Sequence, residues 1–186
     1  MVSPIIALIK DQIEHLSQNM IVAESINHKM GKKDLERVMS DLQSRTPKTK
    51  LLYVTAEQCS TKKFKDLLDM LVKSGKLAYF VIDEAHCVSM WGTNFRPDYY
   101  KLGLLKGKTG TAPWVALTAT ASPKVSKEIV SCLMFRVGYK TFKLPCFRQN
   151  LFYDVTYKDP TNVSFKGILS RYILCLLFRK MATWMT

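Results

Sequence analysis

The stretch Phe80-Val81-Ile82-Asp83-Glu84-Ala85-His86 constrains this chain more than any other. A short apolar run ends in two adjacent carboxylates, followed by a small residue and a histidine. The apolar run reads as a buried strand, and the carboxylates cannot follow it into a core without partners. The strand therefore delivers Asp83 and Glu84 to its C-terminal end.

The rest of the chain alternates between helical and strand patterns. Residues 5–18 carry Ile5, Ile6, Leu8, Ile9, Ile13 and Leu16 on a helical period. Helices are also expected over 33–42, over 62–74 with Phe64, Leu67, Leu68 and Leu71 inward, and over 98–105. Ser122-Pro123 reads as an N-cap with proline at the first helical position, opening a helix to about residue 134. Strands are expected at 51–55, 77–83 and 114–118, with strand-like patterns at 139–143 and 151–157. Residues 1–4 read as the last stub of a strand. Such alternation implies an α/β domain with a mostly parallel sheet. Ligands of such sheets sit outside the carboxyl ends of the strands, so Thr55, Asp83 and Thr118 should gather on one rim.

With 186 residues and 47% hydrophobic composition, the chain can bury a core and is not globally disordered. Its net charge of +13 favours a polyanionic partner, nucleic acid first and an acidic membrane surface second. About half of that charge lies beyond residue 132, where nine basic residues face only Asp154 and Asp159. Five cysteines, odd in number and without a Cys-x-x-Cys pair, argue against a disulfide framework and a zinc site. They fit a reducing compartment. No signal peptide pattern is visible at the N-terminus, and the apolar run at 172–178 is too short to span a bilayer.

An aspartate at a strand end can hold Mg²⁺, and a neighbouring glutamate can orient or deprotonate an attacking water. The plainer reading of a bare Asp-Glu pair is two solvated carboxylates at a strand-to-loop transition. Downstream lies a loop, residues 87–99, with two large aromatics, Trp91 and Phe95, and Arg96. Aromatics stack on unpaired bases and arginine pairs with phosphate. The same aromatics could instead anchor a long loop to a core.

In combination these residues resemble a known family. Asp83-Glu84-Ala85-His86-Cys87-Val88-Ser89, then Trp91-Gly92 and Phe95-Arg96-Pro97-Asp98-Tyr99, resembles the RecQ family of DNA helicases. The segment from Val2 to Gln12 is similar to that family's motif Ia, Leu52 to Thr55 with Glu57 to its motif Ib, and Ala116 to Ala121 to its motif III. Pro145 to Val155 resembles the crossing into a second motor domain and is most similar to the RecQ-like type 5 branch. The matches run in family order over residues 2–158.

The resemblance implies a RecA-like motor domain at residues 1–143, a linker and first strand of a second motor domain at 144–158, and a basic tail at 159–186. It implies Asp83 as the Mg²⁺ ligand, Glu84 at the hydrolytic water, and His86 coupling the ATP site to the nucleic-acid side. Trp91, Phe95 and Arg96 would sense single-stranded DNA. Ser3 and Thr55 would touch the DNA backbone, and Thr118 and Thr120 would relay between hydrolysis and strand separation. ATP and Mg²⁺ are the implied cofactors. Single-stranded and forked DNA and other helicase or repair proteins are the implied partners, in the nucleus and away from membranes.

The sequence also departs from the family. It has no loop ending in Gly-Lys-Ser/Thr that opens a helix, so the fold is expected to lack its first strand and phosphate-binding loop. Gly103 to Thr109 imitates that loop but has one residue too few between the glycines and runs on into a strand; it reads as a solvated turn. Met90, Thr93 and Asn94 replace the usual Gln, His and Asp, and Ala56 replaces a proline. An inactive helicase fragment and a non-catalytic nucleic-acid-binding or regulatory fragment both remain open; an RNA helicase is disfavoured by the segment from Trp91 to Tyr99.

Overall fold

The computed structural model describes residues 1–89 and 97–143. Met1–Lys140 forms one compact unit, and Thr141–Thr186 belongs to a second. The first unit is an α/β, RecA-like domain. Its elements are α1 (Ile6–Gln18), β1 (Ala23–Ile26), α2 (Lys32–Gln43), β2 (Leu51–Val54), α3 (Ala56–Cys59), α4 (Lys62–Lys73), β3 (Phe80–Ile82), α5 (Pro97–Tyr100), β4 (Trp114–Ala116) and α6 (Pro123–Cys132). Two 3₁₀ helices, Ala85–Val88 and Lys101–Lys108, complete the list.

The sheet is parallel, and its centre is a single residue. β1 pairs with β2 and β3 with β4, both in parallel. Val2 bridges Val54 on one side and Ile82 on the other, giving the spatial order β1, β2, residue 2, β3, β4. Val2 donates to the Val81 carbonyl at 2.7 Å, and Asp83 donates back to Val2 at 2.9 Å. On the other side Ser3 donates to Val54 at 3.0 Å and Val54 to Met1 at 2.9 Å. The strand stub expected at residues 1–4 thus joins the two halves of the sheet.

Around this sheet the core is continuous. Val2, Val54, Phe80 and Ile82 are buried from the strands. Val38 and Leu42 of α2, Phe64, Leu67 and Leu68 of α4, and Tyr99 of α5 are buried with them. The spacing of Phe64, Leu67 and Leu68 puts them on one face of α4, as the sequence pattern required. That helix starts at Thr61, whose hydroxyl accepts from the Phe64 amide at 3.3 Å, and α6 starts at Ser122, which caps Val125 at 3.3 Å. Across β3 and β4, Phe80 stacks on Trp114 with ring centroids 4.5 Å apart. Lys106 lies 4.4 Å over the Phe135 ring and 5.2 Å over Trp114. Burial, and then the nearby Arg136 charge, lower its pKa.

Three expectations need correction. The Gly103 segment is no solvated turn: Lys101–Lys108 is a 3₁₀ helix with Leu102, Gly103 and Leu105 buried. A Cβ built on Gly103 would sit 2.1 Å from the Cys132 carbonyl oxygen, so this glycine is what lets the segment pack against the end of α6. The helix expected over 98–105 is accordingly split into the short α5 and this tighter helix. Residues 139–143 form no strand; Tyr139 and Phe142 are exposed, and no neighbouring strand among the described residues offers hydrogen bonds. Strand β1 and the short helix α3, by contrast, had no expectation attached to them. Cys59, Cys87 and Cys132 form no disulfide among the described residues. Burial pushes the Cys59 thiol up to about 12. No helix among the described residues is long and apolar enough to cross a membrane.

Candidate active site and nucleic-acid interface

Parallel strands end on a common rim, so what each strand carries past its last residue meets there. β3 ends at Ile82 and hands over Asp83 and Glu84. Asp83 Oδ1 accepts the Glu84 amide at 3.0 Å, which closes a tight turn. Glu84 itself sits in the left-handed region, at φ 48° and ψ 44°. A glutamate resists that conformation, and such strain collects at functional sites. The turn starts the 3₁₀ helix Ala85–Val88, which places His86 back over the rim.

β4 brings the other half. Because β3 and β4 pair in register, Thr118 arrives beside His86 although 32 residues separate them. His86 Nδ1 lies 3.0 Å from Thr118 Oγ1, 3.3 Å from Thr120 Oγ1 and 3.2 Å from Glu84 Oε2. The Thr120 amide donates to Thr118 Oγ1 at 3.2 Å. One ring nitrogen carries at most one hydrogen, so these three oxygens compete for it. Both His86 and Glu84 are about one-third exposed, which leaves the group open to solvent and to a ligand.

Beneath the cluster, Tyr99 is fully buried and its hydroxyl donates to the Asp83 carbonyl at 3.2 Å. It fixes the end of β3 from below. Sequence reading passed over it as a site residue, since its part is visible only once α5 is packed against the rim. Burial, then the Asp83 charge, raises the pKa of Tyr53 on β2.

The residues fit a magnesium ion better than a softer metal. Asp83 offers a hard carboxylate with Oδ2 uncommitted among the described residues, and among those residues no three His, Cys, Asp or Glu side chains are placed to hold a metal ion by themselves. Mg²⁺ is commonly held through one or two carboxylates, with water and phosphate oxygens completing its shell. The described residues supply no run of backbone amides to hold phosphates beside it.

A second group lies further along the same rim, past the ends of residue 2 and β2. Ser3 and Thr55 are both buried, and neither hydroxyl has a hydrogen-bond partner among the described residues. Thr55 lines a cavity of about 540 Å³ beside the start of α1. The structure therefore brings Glu84, His86, Thr118 and Thr120 together, with Asp83 tied to the Glu84 amide beside them, and leaves Ser3 and Thr55 as a separate pair. Trp91, Phe95 and Arg96, with the departures Met90, Thr93 and Asn94, lie outside the described residues. So do the linker and tail from residue 144 onward.

Comparison with known proteins agrees with the motif reading. The family model for "DEAD/DEAH box helicase" matches residues 1–129. The chain is 47% identical over 158 residues to the ATP-dependent DNA helicase Q5 of Mus musculus, covering 85% of this chain and 16% of that protein. It is 41% identical over 164 residues to the ATP-dependent DNA helicase Q-like 4B of Arabidopsis thaliana, covering 84% and 14%. It is 38% identical over 164 residues to the RecQ-like DNA helicase BLM of Xenopus laevis, covering 88% and 12%. The chain spans about one sixth of the length of these relatives, or less. The family model covers more than half of the chain and the relatives are RecQ helicases, so the resemblance is borne out and the chain belongs to the DEAD/DEAH box helicase family.

Proposed function

We propose that this chain is part of an ATP-dependent 3′-to-5′ DNA helicase, which couples ATP hydrolysis to movement along a single strand and to duplex unwinding. The observation that carries the reading is the cluster of Asp83, Glu84, His86, Thr118 and Thr120 on the C-terminal rim of a parallel sheet. Asp83 would hold Mg²⁺, which when bound with nucleotide neutralises phosphate charge and acts as a Lewis acid. Glu84 would orient and deprotonate the attacking water. His86 lies within hydrogen-bond reach of both Glu84 and Thr118, so its single Nδ1 hydrogen can report on one to the other. Thr118 and Thr120 would carry that state towards bound DNA. Ser3 and Thr55 would meet the DNA backbone, with Trp91, Phe95 and Arg96 against unpaired bases. Single-stranded and forked DNA would be the substrates, in the nucleus, alongside other repair proteins.

The open edge of the sheet is consistent with this. β3 has residue 2 on one side and β4 on the other, so among the described residues the free edges belong to β1 and β4. Strands lie about 4.8 Å apart, so a phosphate-binding loop on a strand added beyond β4 would stand roughly 10 Å from the end of β3. Added beyond β1 it would stand roughly 19 Å away, too far to share a metal with Asp83.

A second reading is a nucleic-acid-binding or regulatory fragment without catalysis; the thioether of Met90 where the family has a glutamine favours it. The 186-residue polypeptide is expected to show negligible ATP turnover under either reading, and turnover abolished by Glu84→Gln would contradict that. A chimera separates the two readings: residues 1–158 replace the matching segment of mouse DNA helicase Q5. The helicase reading expects DNA-stimulated ATP hydrolysis that Glu84→Gln lowers by about 10²-fold or more. A folded chimera without activity, or one indifferent to Glu84→Gln, favours the regulatory reading.

A further inference from the structure

We infer that Thr46, in the loop between α2 and β2, is the acceptor of a proline-directed protein kinase, and that Lys50 and Lys76 receive its phosphate. The inference is independent of the helicase reading. Three serine or threonine residues precede a proline: Ser3, Thr46 and Ser122. A kinase must draw the hydroxyl and the residues after it into its own cleft in extended form, and the fold separates the three on that ground. Ser3 is fully buried. Ser122 is exposed, but its hydroxyl caps Val125 at 3.3 Å and Pro123 already belongs to α6. Thr46 is exposed, and no helix or strand lies between Gln43 and Leu51. Its hydroxyl makes no hydrogen bond among the described residues.

The loop presents Thr46 from a fixed base. The chain leaves α2 extended at Ser44, with φ −59° and ψ 159°. Proline at position 47 biases Thr46 itself away from the helical region. Asp41 closes the loop from behind: its carboxylate accepts from the Lys48 and Thr49 amides, each at 3.0 Å, and from the Thr49 hydroxyl at 2.7 Å. Pro47 has no amide hydrogen, so its seat in a kinase cleft needs no acceptor.

Cations stand on both sides of the threonine. Lys76 Nζ donates to the Ser44 carbonyl at 2.5 Å, and Lys50 Nζ to the Pro47 carbonyl at 3.4 Å. Neither lysine has a carboxylate partner among the described residues. Arg45 and Lys48 add two more basic side chains to the same loop. The transfer forms a bond from Thr46 Oγ1 to the γ-phosphorus of ATP and breaks that phosphorus's bond to the bridging oxygen, which leaves on ADP. The hydroxyl proton passes to the carboxylate base of the kinase. The product carries a charge of about −1.5 to −2, which cancels roughly half of the positive charge of these four side chains. The loop precedes β2 and Lys76 precedes β3, so the phosphate stands at the opposite end of the parallel strands from the Asp-Glu rim.

The test incubates the full 186-residue chain, checked as folded by circular dichroism, with a cyclin-dependent kinase, ATP and Mg²⁺. Sites are mapped by tandem mass spectrometry. Phosphate is expected on Thr46, with Ser3 and Ser122 unmodified, and Thr46→Ala and Pro47→Ala should each lose it. A folded chain without phosphate on Thr46, equal phosphate on Ser122, or a Thr46 still modified in Pro47→Ala would overturn the acceptor. Receipt by the lysines is read by ³¹P NMR on the phosphorylated chain. The phosphothreonine should give up its second proton below the ordinary value of about 6. Lys76→Gln and Lys50→Gln should each move that midpoint back up, and an identical midpoint in both variants would overturn their part.

Discussion

Glu84 is where chemistry and backbone disagree. Its left-handed conformation suits glycine, and a side chain there costs about 1 kcal/mol or more. What the carboxylate gains in return is a half-exposed contact with His86 at 3.2 Å, worth at most about 1 kcal/mol. Glu84→Gly is therefore expected to leave stability unchanged or raise it by up to about 1 kcal/mol, while removing the base outright. Glu84→Gln keeps the strain and should show no such gain. Urea denaturation of the two variants side by side measures the difference, and a marked loss of stability in Glu84→Gly would show that the strain is not there. Gly103 makes the opposite case. Its missing Cβ is the space that the Cys132 carbonyl fills, so Gly103→Ala must push backbone against backbone. A loss of about 1–3 kcal/mol in the same assay is expected. An unchanged midpoint would mean that the end of α6 shifts freely.

Among the elements, local signals were legible and pairing was not. Ser122-Pro123 marks the start of α6 because a capping hydroxyl and a fixed φ act within one turn of the chain. Thr61 does the same for α4. Thr61→Ala and Ser122→Ala should each cost about 1 kcal/mol, read as a lowered urea midpoint; the Ser122 variant should also loosen the contact that buries Gly103. Strand β1 escaped notice because Ala-Glu-Ser-Ile has only one buried residue and no alternation of β-branched side chains. It is a strand because β2 lies beside it in register, with Glu24 tied to Arg37 of α2 at 2.6 Å. Missing β1 hid the turn after it. At the site, Thr55, Asp83 and Thr118 could be placed on one rim from strand ends alone. Which of them His86 touches depends on the register between β3 and β4, and nothing local in the sequence states a register.

The whole domain is tied together through its first residues. The Met1 amine lies in the sheet and donates to the Leu52 carbonyl at 2.6 Å. Burial pushes its pKa down to about 6, with the neighbouring Cys59 a weaker opposing influence. In a polypeptide made with Met1 as its first residue, the unfolded chain binds this proton near pH 8 and the folded one only near pH 6. Stability therefore rises with pH across that window, by about 2–3 kcal/mol in all, and the gain is lost as pH falls towards 6. Acetylating the amine should flatten the profile; thermal melts of both forms from pH 5.5 to 8.5, roughly the interval that brackets the window, would show it. An acetylated chain with the same slope would place its origin in another group.

The same central residue sets a timetable for biosynthesis. Val2 leaves the ribosome long before its partners: Val54 follows 52 residues later and Ile82 another 28 after that. At about 5–20 residues per second, residue 2 waits some 4–16 s for the strand that carries the Asp-Glu pair. β1 and β2 can join meanwhile, but the two halves can be bridged only afterwards. Residues 1–3 must stay clear of other pairings through that interval if the rim and its carboxylates are to be assembled.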